Sequence, residues 1–425
     1  MRLTVRSRAR LDSVPAGEPG GIVAKRETAD LVVVGAGTVG GWASWFAATG
    51  GADRVVVLER GLVGEGASSR AAGVVRQQGG TPATVELGRW SVRFYRTQQA
   101  LLGTDSGFRE LGYLILATTA AQERAGRERV AMQREVGLDA RWADAREARR
   151  LSPTLAADGH RGGSFVADDG FIDPPRNVRA YSLAMQAAGV SLRERCAFVG
   201  VRTAAARGGR RRVTGVETTS GTIATQRVLL TGGPSLREIG RLVDARMWVG
   251  AARHQVAVSE PHRDLDVERQ AMVFDMRAGL YWRLEEGGLL WGMSNPNESL
   301  GEARELDMTY LRRMQRRLAK LVPVTAGLGI RKAWAATIEY TPDHLPLLGP
   351  VVTTAGVEVE GLSVACACGH GMMWGPSVAR CAADLALEGR TDVVDVADFR
   401  MDRFDERGRS PYVDPVALPF PIDVD

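Results

Sequence analysis

The ten residues from Leu31 to Gly40, LVVVGAGTVG, decide the fold. They join a short apolar run to a glycine-rich turn, and residues 41–48 behind them are mostly small or apolar and predict a helix. A second apolar run, Val55 to Glu59, follows that helix. Continuous β-branched runs are typical of strands that are buried on both faces of a parallel sheet. The order strand, glycine turn, helix, strand predicts a dinucleotide-binding unit.

The turn has the pattern GxGxxG, formed by Gly35, Gly37 and Gly40. The first glycine permits the tight turn, the second lets a pyrophosphate approach the backbone, and the third lets the helix pack on the sheet. Glu59 lies 19 residues after Gly40, on the second strand, where a carboxylate binds the diol of a ribose. The context makes the motif specific in a chain with 50 glycines, but it does not distinguish FAD from NAD.

Composition excludes several classes of protein. The chain has 425 residues, 44% of them apolar and 25% charged, which is typical of globular domains rather than fibrous or disordered ones. A net charge of +5 gives no support for nucleic-acid binding, and no apolar run reaches the roughly 20 residues of a membrane helix. Four cysteines and five histidines occur without CxxC or HExxH spacing, so we expect no structural metal site.

The remaining pattern divides the chain into helical and extended segments. Predicted helices cover residues 84–102, 120–135, 176–188, 306–321 and 375–387. Predicted strands cover residues 213–218, 223–230, 255–258, 280–283, 289–292 and 362–367. Because strands and helices alternate at both ends around a strand-rich middle, the sequence predicts an α/β protein in which a second domain interrupts a nucleotide-binding domain.

Five further segments occur in a fixed order after the glycine motif. They are residues 66–76 (GASSRAAGVVR), 253–261 (RHQVAVSEP), 281–283 (YWR), 340–350 (YTPDHLPLLGP) and 369–376 (GHGMMWGP). Together they resemble the amine-oxidising FAD enzymes of the D-amino acid oxidase superfamily. The resemblance covers about residues 30–404 and is nearest to sarcosine oxidase, its β subunit and dimethylglycine dehydrogenase.

The resemblance implies a Rossmann-like FAD-binding domain with an interleaved α+β substrate domain built on a mixed or antiparallel sheet. The FAD-binding domain is expected to comprise residues 29–100, 172–240 and 335–404, and the substrate domain residues 101–171 and 241–334. Residues 1–28 are expected to form a flexible N-terminal extension, and residues 405–425 a C-terminal tail.

It also implies site residues. Cofactor contacts are expected at Gly35, Gly37, Thr38, Val39, Gly40, Glu59, Arg60, Ser68, Ser69, Arg70, Val199, Gly232, Gly233, Gly369, Gly371 and Met372. Catalytic roles are expected at Arg76, His370 and Tyr281, and pocket walls at Arg76, Trp282, Leu290, Met373 and Trp374.

Two of these roles have a structural alternative. In the sarcosine oxidase pattern, an arginine at the position of Arg76 binds the substrate carboxylate through two parallel hydrogen bonds. The alternative is an arginine that only forms a salt bridge or supports the flavin. His370 is either an active-site residue or a histidine with a purely structural role.

The chain departs from these relatives at four positions. Met373 and Leu290 stand where sarcosine oxidase has lysines, one that binds the carboxylate and one that activates oxygen, which favours a dehydrogenase or a slow oxidase. Ala336 and Arg70 stand where relatives carry the cysteine or histidine that bonds flavin covalently. We therefore expect non-covalent FAD.

The leading hypothesis is hydride removal from the carbon next to an amine nitrogen, on an amine or an N-substituted amino acid, to give an imine that hydrolyses. One alternative is a 2-hydroxy acid or polyol dehydrogenase, for which His254 or His370 would be the base. Another is a flavoprotein subunit without catalysis. The expected electron acceptor is O2, a quinone or another carrier, in a cytoplasmic protein with no membrane span and no nucleic-acid partner, as a homo-oligomer or with a second subunit.

Overall fold

The computed structural model describes residues 27–277 and 279–412. Within them the chain forms eight α-helices: α1 Thr38–Thr49, α2 Pro82–Leu102, α3 Ala120–Glu135, α4 Ala145–Leu151, α5 Pro174–Ala187, α6 Leu236–Leu242, α7 Met308–Leu321 and α8 Gly375–Glu388. None of the helices in this part of the chain is both long and apolar enough to cross a bilayer. Most of the expected N-terminal extension and the end of the expected C-terminal tail lie outside the described residues.

The same residues form twenty strands. The first ten are β1 Leu31–Val34, β2 Val55–Leu58, β3 Val74–Val75, β4 Arg109–Glu110, β5 Tyr113–Leu116, β6 Arg141–Ala143, β7 Gly163–Val166, β8 Gly170–Phe171, β9 Ser191–Arg193 and β10 Phe198–Ala205. The others are β11 Arg211–Thr218, β12 Gly221–Ile223, β13 Val228–Leu230, β14 Gly250–Ser259, β15 Met272–Asp275, β16 Leu280–Glu285, β17 Gly288–Ser294, β18 Ile330–Tyr340, β19 Leu347–Val352 and β20 Glu358–Cys366.

A nine-stranded sheet carries the glycine motif. Its order is β10-β11-β20-β13-β1-β2-β9, with β12 added beside β11 and β19 beside β20, and its centre from β20 to β9 is parallel. Leu31 and Val33 of β1 pack in the core that contains α1 and α8, whereas Val32 and Val34 pack in the core on the opposite face. The apolar run therefore forms a strand buried on both faces, as its sequence predicts.

Several element boundaries differ from the sequence prediction by a few residues, and two of them have a clear local cause. Helix α1 begins at Thr38, not at residue 41, because Gly37 is the extended N-cap residue and the glycine turn leads directly into the helix. The segment predicted as one strand, residues 223–230, is divided between β12 and β13. Thr225 causes this break, since its hydroxyl accepts a hydrogen bond from Arg227 N and donates one to Arg227 O.

An eight-stranded sheet has the order β18-β14-β17-β16-β15-β5-β7-β6. Its pairs are antiparallel except for β5 with β15, so the predicted mixed sheet is confirmed. Helix α7 packs on one face through Leu311, Met314 and Leu318, and the other face is open to the cavity described below. The division into two domains at the expected boundaries stays a prediction, and β18 runs across the boundary placed between residues 334 and 335.

Candidate active site

A cavity of about 850 Å³ lies between the two large sheets. It is bordered by the ends of β1, β2 and β13, by residues 58–76, by one face of the eight-stranded sheet and by the loop that precedes α8. Most of the predicted site residues line it: Gly35, Gly37, Thr38, Val39, Glu59, Arg60, Ser68, Arg70, Arg76, Gly232, Gly233, Tyr281, Gly369, His370, Gly371, Met372 and Met373. The structure thus brings together residues that are more than 300 positions apart in the sequence.

Six predicted residues do not border this cavity, and strand geometry explains one of them. Side chains alternate between the faces of a strand, so Trp282 points away when its neighbour Tyr281 points into the cavity. Trp282 is fully buried in the core beneath α7, opposite Trp291 on β17. Leu290 lies on the same sheet face as Tyr281, but it packs against Ala72, Val256 and Val258 and is not among the cavity-lining residues. Neither Trp282 nor Leu290 borders the cavity, and their expected role as pocket walls stays a prediction.

The other four lie close by. Trp374 is fully buried in the core under the nine-stranded sheet, and Val199 is 46% exposed on β10, where its neighbours Ala197 and Phe198 line the cavity instead. Ser69 turns its hydroxyl to the carbonyl of Gly64. Gly40 lets helix α1 pack closely against the glycine turn, since a Cβ atom there would lie 1.9 Å from the carbonyl oxygen of Gly35.

The glycine end of the cavity is built to hold a ligand against backbone. Gly35 has a φ of 104°, and a Cβ there would lie 2.8 Å from the carbonyl oxygen of Thr231. A Cβ at Gly37 would lie 3.2 Å from the Ser68 hydroxyl, which itself accepts a hydrogen bond of 2.9 Å from Thr38 N. The loop therefore leaves space beside the N-terminus of α1, where unpaired N–H groups and the helix dipole favour an anion.

Glu59 fixes the backbone of the glycine turn at this end of the cavity. Its carboxylate accepts hydrogen bonds of 2.9 Å from Ala36 N and from Gly61 N, and it lines the cavity. A carboxylate offers about four acceptor positions, so two remain for a ligand with hydroxyl groups.

Arg76 lies at the other end of the cavity, directly after β3. It is 5% exposed, lines the cavity and donates a hydrogen bond from Nη1 to the carbonyl of Gln78. Within residues 27–277 and 279–412 it has no ion pair to a carboxylate. A buried guanidinium without a carboxylate partner favours an anionic ligand, since it keeps donors available for two parallel bonds.

Tyr281 and His254 form a hydrogen-bonded pair on the sheet face that borders the cavity. His254 Nε2 lies 2.7 Å from the Tyr281 hydroxyl, and its Nδ1 lies 2.8 Å from the hydroxyl of Ser294. Burial lowers the pKa of His254 to about 4 and raises the pKa of Tyr281 well above its ordinary value. Both groups are therefore uncharged near pH 7. A neutral imidazole has one donor and one acceptor nitrogen, so it connects the two hydroxyls in a directed chain.

His370 faces the cavity from the loop before α8. Its Nδ1 lies 2.7 Å from the carbonyl oxygen of Cys368 and donates to it, and its ring packs against Trp374 at 4.4 Å between centroids. Burial, with a smaller effect of the Arg76 charge, lowers the pKa of His370 to about 3. The imidazole is therefore neutral, and its Nε2 carries a lone pair.

Sequence reasoning missed the partners of Tyr281. Ser294 and Tyr340 border the cavity, and the Ser294 hydroxyl lies 3.3 Å from that of Tyr340. His254 appeared in the sequence only as a base for a hydroxy acid. The signal that places it here is the register between β14 and β17, in which His254 stands directly opposite Ser294.

Comparison with known proteins identifies the family. A family model described as FAD dependent oxidoreductase (DAO) matches residues 30–385. The chain belongs to the DAO family of FAD-dependent oxidoreductases. The resemblance seen in the sequence motifs is thereby confirmed, and so is the Rossmann-like fold class.

Individual relatives of this DAO-family chain are distant. Mitochondrial sarcosine dehydrogenase of Mus musculus is 26% identical over 418 residues, which cover 93% of this chain and 45% of that protein. Glycine oxidase of Geobacillus kaustophilus is 27% identical over 386 residues, which cover 88% of this chain and 97% of that protein. The solved structure of L-proline dehydrogenase from P. horikoshii superposes with a TM-score of 0.81 at 23% identity, over 91% of this chain and all of that one, and shows the fold. The chain thus spans less than half the length of the sarcosine dehydrogenase.

The residues present fit FAD. A side chain at Gly37 would enter the space beside Ser68, which matches a backbone that is approached closely by a pyrophosphate, whereas a side chain at Gly35 would collide with the backbone of Thr231. Glu59 retains acceptor positions for a ribose diol, and the cavity continues from there to Arg76 and Tyr281. The loop of Gly369, His370 and Gly371 lines the same space in front of α8, where backbone N–H groups suit the polar edge of a flavin.

Proposed function

We propose that the chain oxidises a C–N bond of an amine or an N-substituted amino acid. The observation that carries this proposal is the placement of a guanidinium without a carboxylate partner, Arg76, and an uncharged Tyr281–His254 pair on one cavity that also contains the glycine cradle. Bound FAD supplies a two-electron acceptor for the hydride that leaves the carbon next to the nitrogen. The resulting imine is hydrolysed to a carbonyl compound and an amine.

The chain's own residues have separate tasks in this proposal. Arg76 binds a carboxylate of the substrate and so fixes its orientation by two hydrogen bonds. Tyr281, His254 and Ser294 present uncharged hydrogen-bonding groups, which stabilise an ammonium ion less than a carboxylate would and therefore favour the free amine. Only the free amine has the nitrogen lone pair that assists loss of hydride from the neighbouring carbon.

The cavity wall indicates the kind of substituent. Phe274, Met293 and Ile338 line it, together with Met373. Of these, Met373 was expected from the sequence, whereas Trp282, Leu290 and Trp374 do not border the cavity. We therefore expect a substrate with an apolar or aromatic group rather than a bare methylamine.

An anaerobic titration tests this function. The oxidised protein is mixed with N-methyl amino acids, secondary amines or 2-hydroxy acids, and the flavin absorbance near its visible maximum is followed. Bleaching by amines alone supports the proposal, and bleaching by hydroxy acids alone supports the alcohol alternative. If neither class bleaches the flavin, the chain is a flavoprotein subunit without this catalysis.

The non-covalent attachment of FAD stays a prediction. Ala336 and Arg70 both border the cavity and supply no cysteine or histidine for attachment, so FAD should be released when the protein is precipitated with acid. Flavin that remained in the washed pellet would show a covalent bond through another residue. The cytoplasmic location, the electron acceptor and any second subunit likewise stay predictions.

A further inference from the structure

Asp169 lies beneath the segment that carries Arg76. It is fully buried in the turn between β7 and β8. Its Oδ1 accepts hydrogen bonds from Gln77 N at 2.7 Å and from Gln77 Nε2 at 3.2 Å, and its Oδ2 accepts one from Gln78 Nε2 at 3.1 Å. Gln77 and Gln78 follow Arg76 directly in the chain, so this carboxyl supports the segment that aims the guanidinium.

The charges around this carboxyl are few. Within the described residues Asp169, like Arg76, has no ion-pair partner within 4.0 Å. The charges of Arg76 and Asp169 both act on Tyr113 of β5, and the charge of Arg76 also acts on His370. Both are uncharged near pH 7, because burial raises the pKa of Tyr113 and lowers that of His370.

The charged side chains nearest to Asp169 in the chain lie at the protein surface. Asp168 forms an ion pair of 3.0 Å with Arg96, and Arg96 also binds Glu110. All three side chains are more than a third exposed, so solvent screens them.

Two further buried groups lie in this region. Arg283 pairs with Glu285 and lies 4.0 Å from the ring centroid of Phe171 on β8, and Glu339 borders the cavity with its pKa raised to about 7 by burial. Asp169 differs from Glu339 because it binds Gln77 and Gln78, which follow Arg76 in the chain.

We propose that Asp169 sets how strongly Arg76 selects a carboxylate ligand. When Asp169 is ionised, its charge offsets that of the guanidinium, and when it is protonated, the full positive charge acts on the ligand. This inference rests on the proposed role of Arg76 as the carboxylate anchor. It makes Asp169 a specificity-determining residue that acts through Arg76 and does not touch the substrate.

The sign of the effect follows from charge. Burial raises the pKa of Asp169 to about 7, although its N–H donors and the charge of Arg76 act in the opposite direction. A bound carboxylate and an ionised Asp169 repel each other, so binding of the ligand raises this pKa further, and a rise in pH through 7 weakens binding. An uncharged ligand of the same shape has no such dependence.

The experiment measures binding of benzoate and benzamide to the FAD-loaded protein between pH 5.5 and 8.5, from the change in the flavin spectrum. For the unaltered protein we expect the Kd of benzoate to rise about tenfold across this range, which corresponds to a ligand-induced pKa change of about one unit. The Kd of benzamide should stay constant. In Asp169→Asn the rise should disappear, and at pH 8.5 benzoate should bind about tenfold more tightly than to the unaltered protein.

Asp168→Asn is the matched control, since it removes the neighbouring but exposed carboxylate, and it should keep the full pH dependence. Gln77→Met is a second variant that does not depend on the stability of Asp169→Asn. It removes one donor to the Asp169 carboxylate and should move the midpoint of the benzoate curve to higher pH.

The outcomes are distinguishable. If Arg76→Ala abolishes the preference for benzoate but Asp169→Asn keeps the pH dependence, or Gln77→Met leaves the midpoint in place, the inference about Asp169 is wrong and the anchor remains. If the unaltered protein does not distinguish benzoate from benzamide, and Arg76→Ala changes neither Kd, the anchor itself is wrong.

Discussion

The two ends of the cavity are built on different principles. At the glycine end the important surface is backbone: Gly35 and Gly37 leave space, and Glu59 fixes the turn through two amide N–H groups. At the other end the important groups are the side chains of Arg76, Tyr281 and His254, which come from distant strands. A surface made of backbone is encoded in one contiguous motif, whereas a cluster of side chains depends on how the sheet strands pair.

The largest effect should come from Gly37→Val, which places a side chain where the pyrophosphate approaches. The added Cβ meets only the Ser68 hydroxyl, at 3.2 Å, so the protein should fold but lose bound FAD. FAD content is measured as the ratio of flavin absorbance to protein absorbance in the purified protein. The control is Gly327→Val, since a Cβ at Gly327 meets nothing within 4 Å and this residue is outside the cavity. A Gly37→Val protein with normal FAD content would refute the assignment of the cradle.

Arg76→Ala tests the side-chain end. The loss of a buried, charge-assisted pair should weaken binding of a carboxylate substrate by about 2–4 kcal/mol, mainly as a higher KM, with FAD content unchanged. Arg76→Lys should recover only part of the affinity, because an ammonium group lacks the planar fork. Arg124→Ala, an exposed change on α3, is the control. Kinetics indifferent to the loss of Arg76 would favour a substrate without a carboxylate.

Tyr281→Phe tests the uncharged pair. Removal of the hydroxyl that contacts His254 should lower the rate of flavin bleaching by about 10- to 100-fold. Because the pKa of His254 is lowered to about 4, this histidine does not titrate between pH 6 and 9, and the rate should rise with pH as the substrate amine loses its proton. Tyr310→Phe is the matched control, since Tyr310 donates to the carbonyl of Ser294 and does not border the cavity. Equal rates for both variants would exclude a role for the pair.

The smallest effect concerns the adenine end. Val199→Ala should leave the Kd of FAD within about twofold, because Val199 is 46% exposed and lies outside the cavity. Phe198→Ala should weaken FAD binding by about tenfold, through loss of apolar area beside the nucleotide. The two dissociation constants are measured by fluorescence titration of the apoprotein. A stronger effect at Val199 would restore the contact expected from the sequence.

These cases show what the sequence could reveal. The motif from Leu31 to Gly40 and the acid at Glu59 were found because strand, turn and helix are local and each glycine has a steric reason. Tyr281 and His254 were both named from the sequence, but their contact with each other and with Ser294 was not, because it depends on the pairing of β17 with β14 and β16. Trp282 was named as a pocket wall although the two-residue period of a strand turns it away whenever Tyr281 faces the cavity. No sequence pattern indicated Asp169, because its proposed role depends on the packing of the turn between β7 and β8 under the distant segment of Gln77 and Gln78.

The order of strands in the nine-stranded sheet also has a consequence for biosynthesis. Strand β1 pairs with β13, nearly 200 residues later, and β13 pairs with β20, which ends at Cys366. Such long sequence separations slow folding, because the loops between the strands must close before the pairing stabilises them. One neighbour of β1, the strand β2, follows it closely in the chain, whereas the other, β13, is synthesised nearly 200 residues later. The edge of β1 that pairs with β13 therefore stays open until β13 has been synthesised, and the cavity is complete only after the loop that precedes α8.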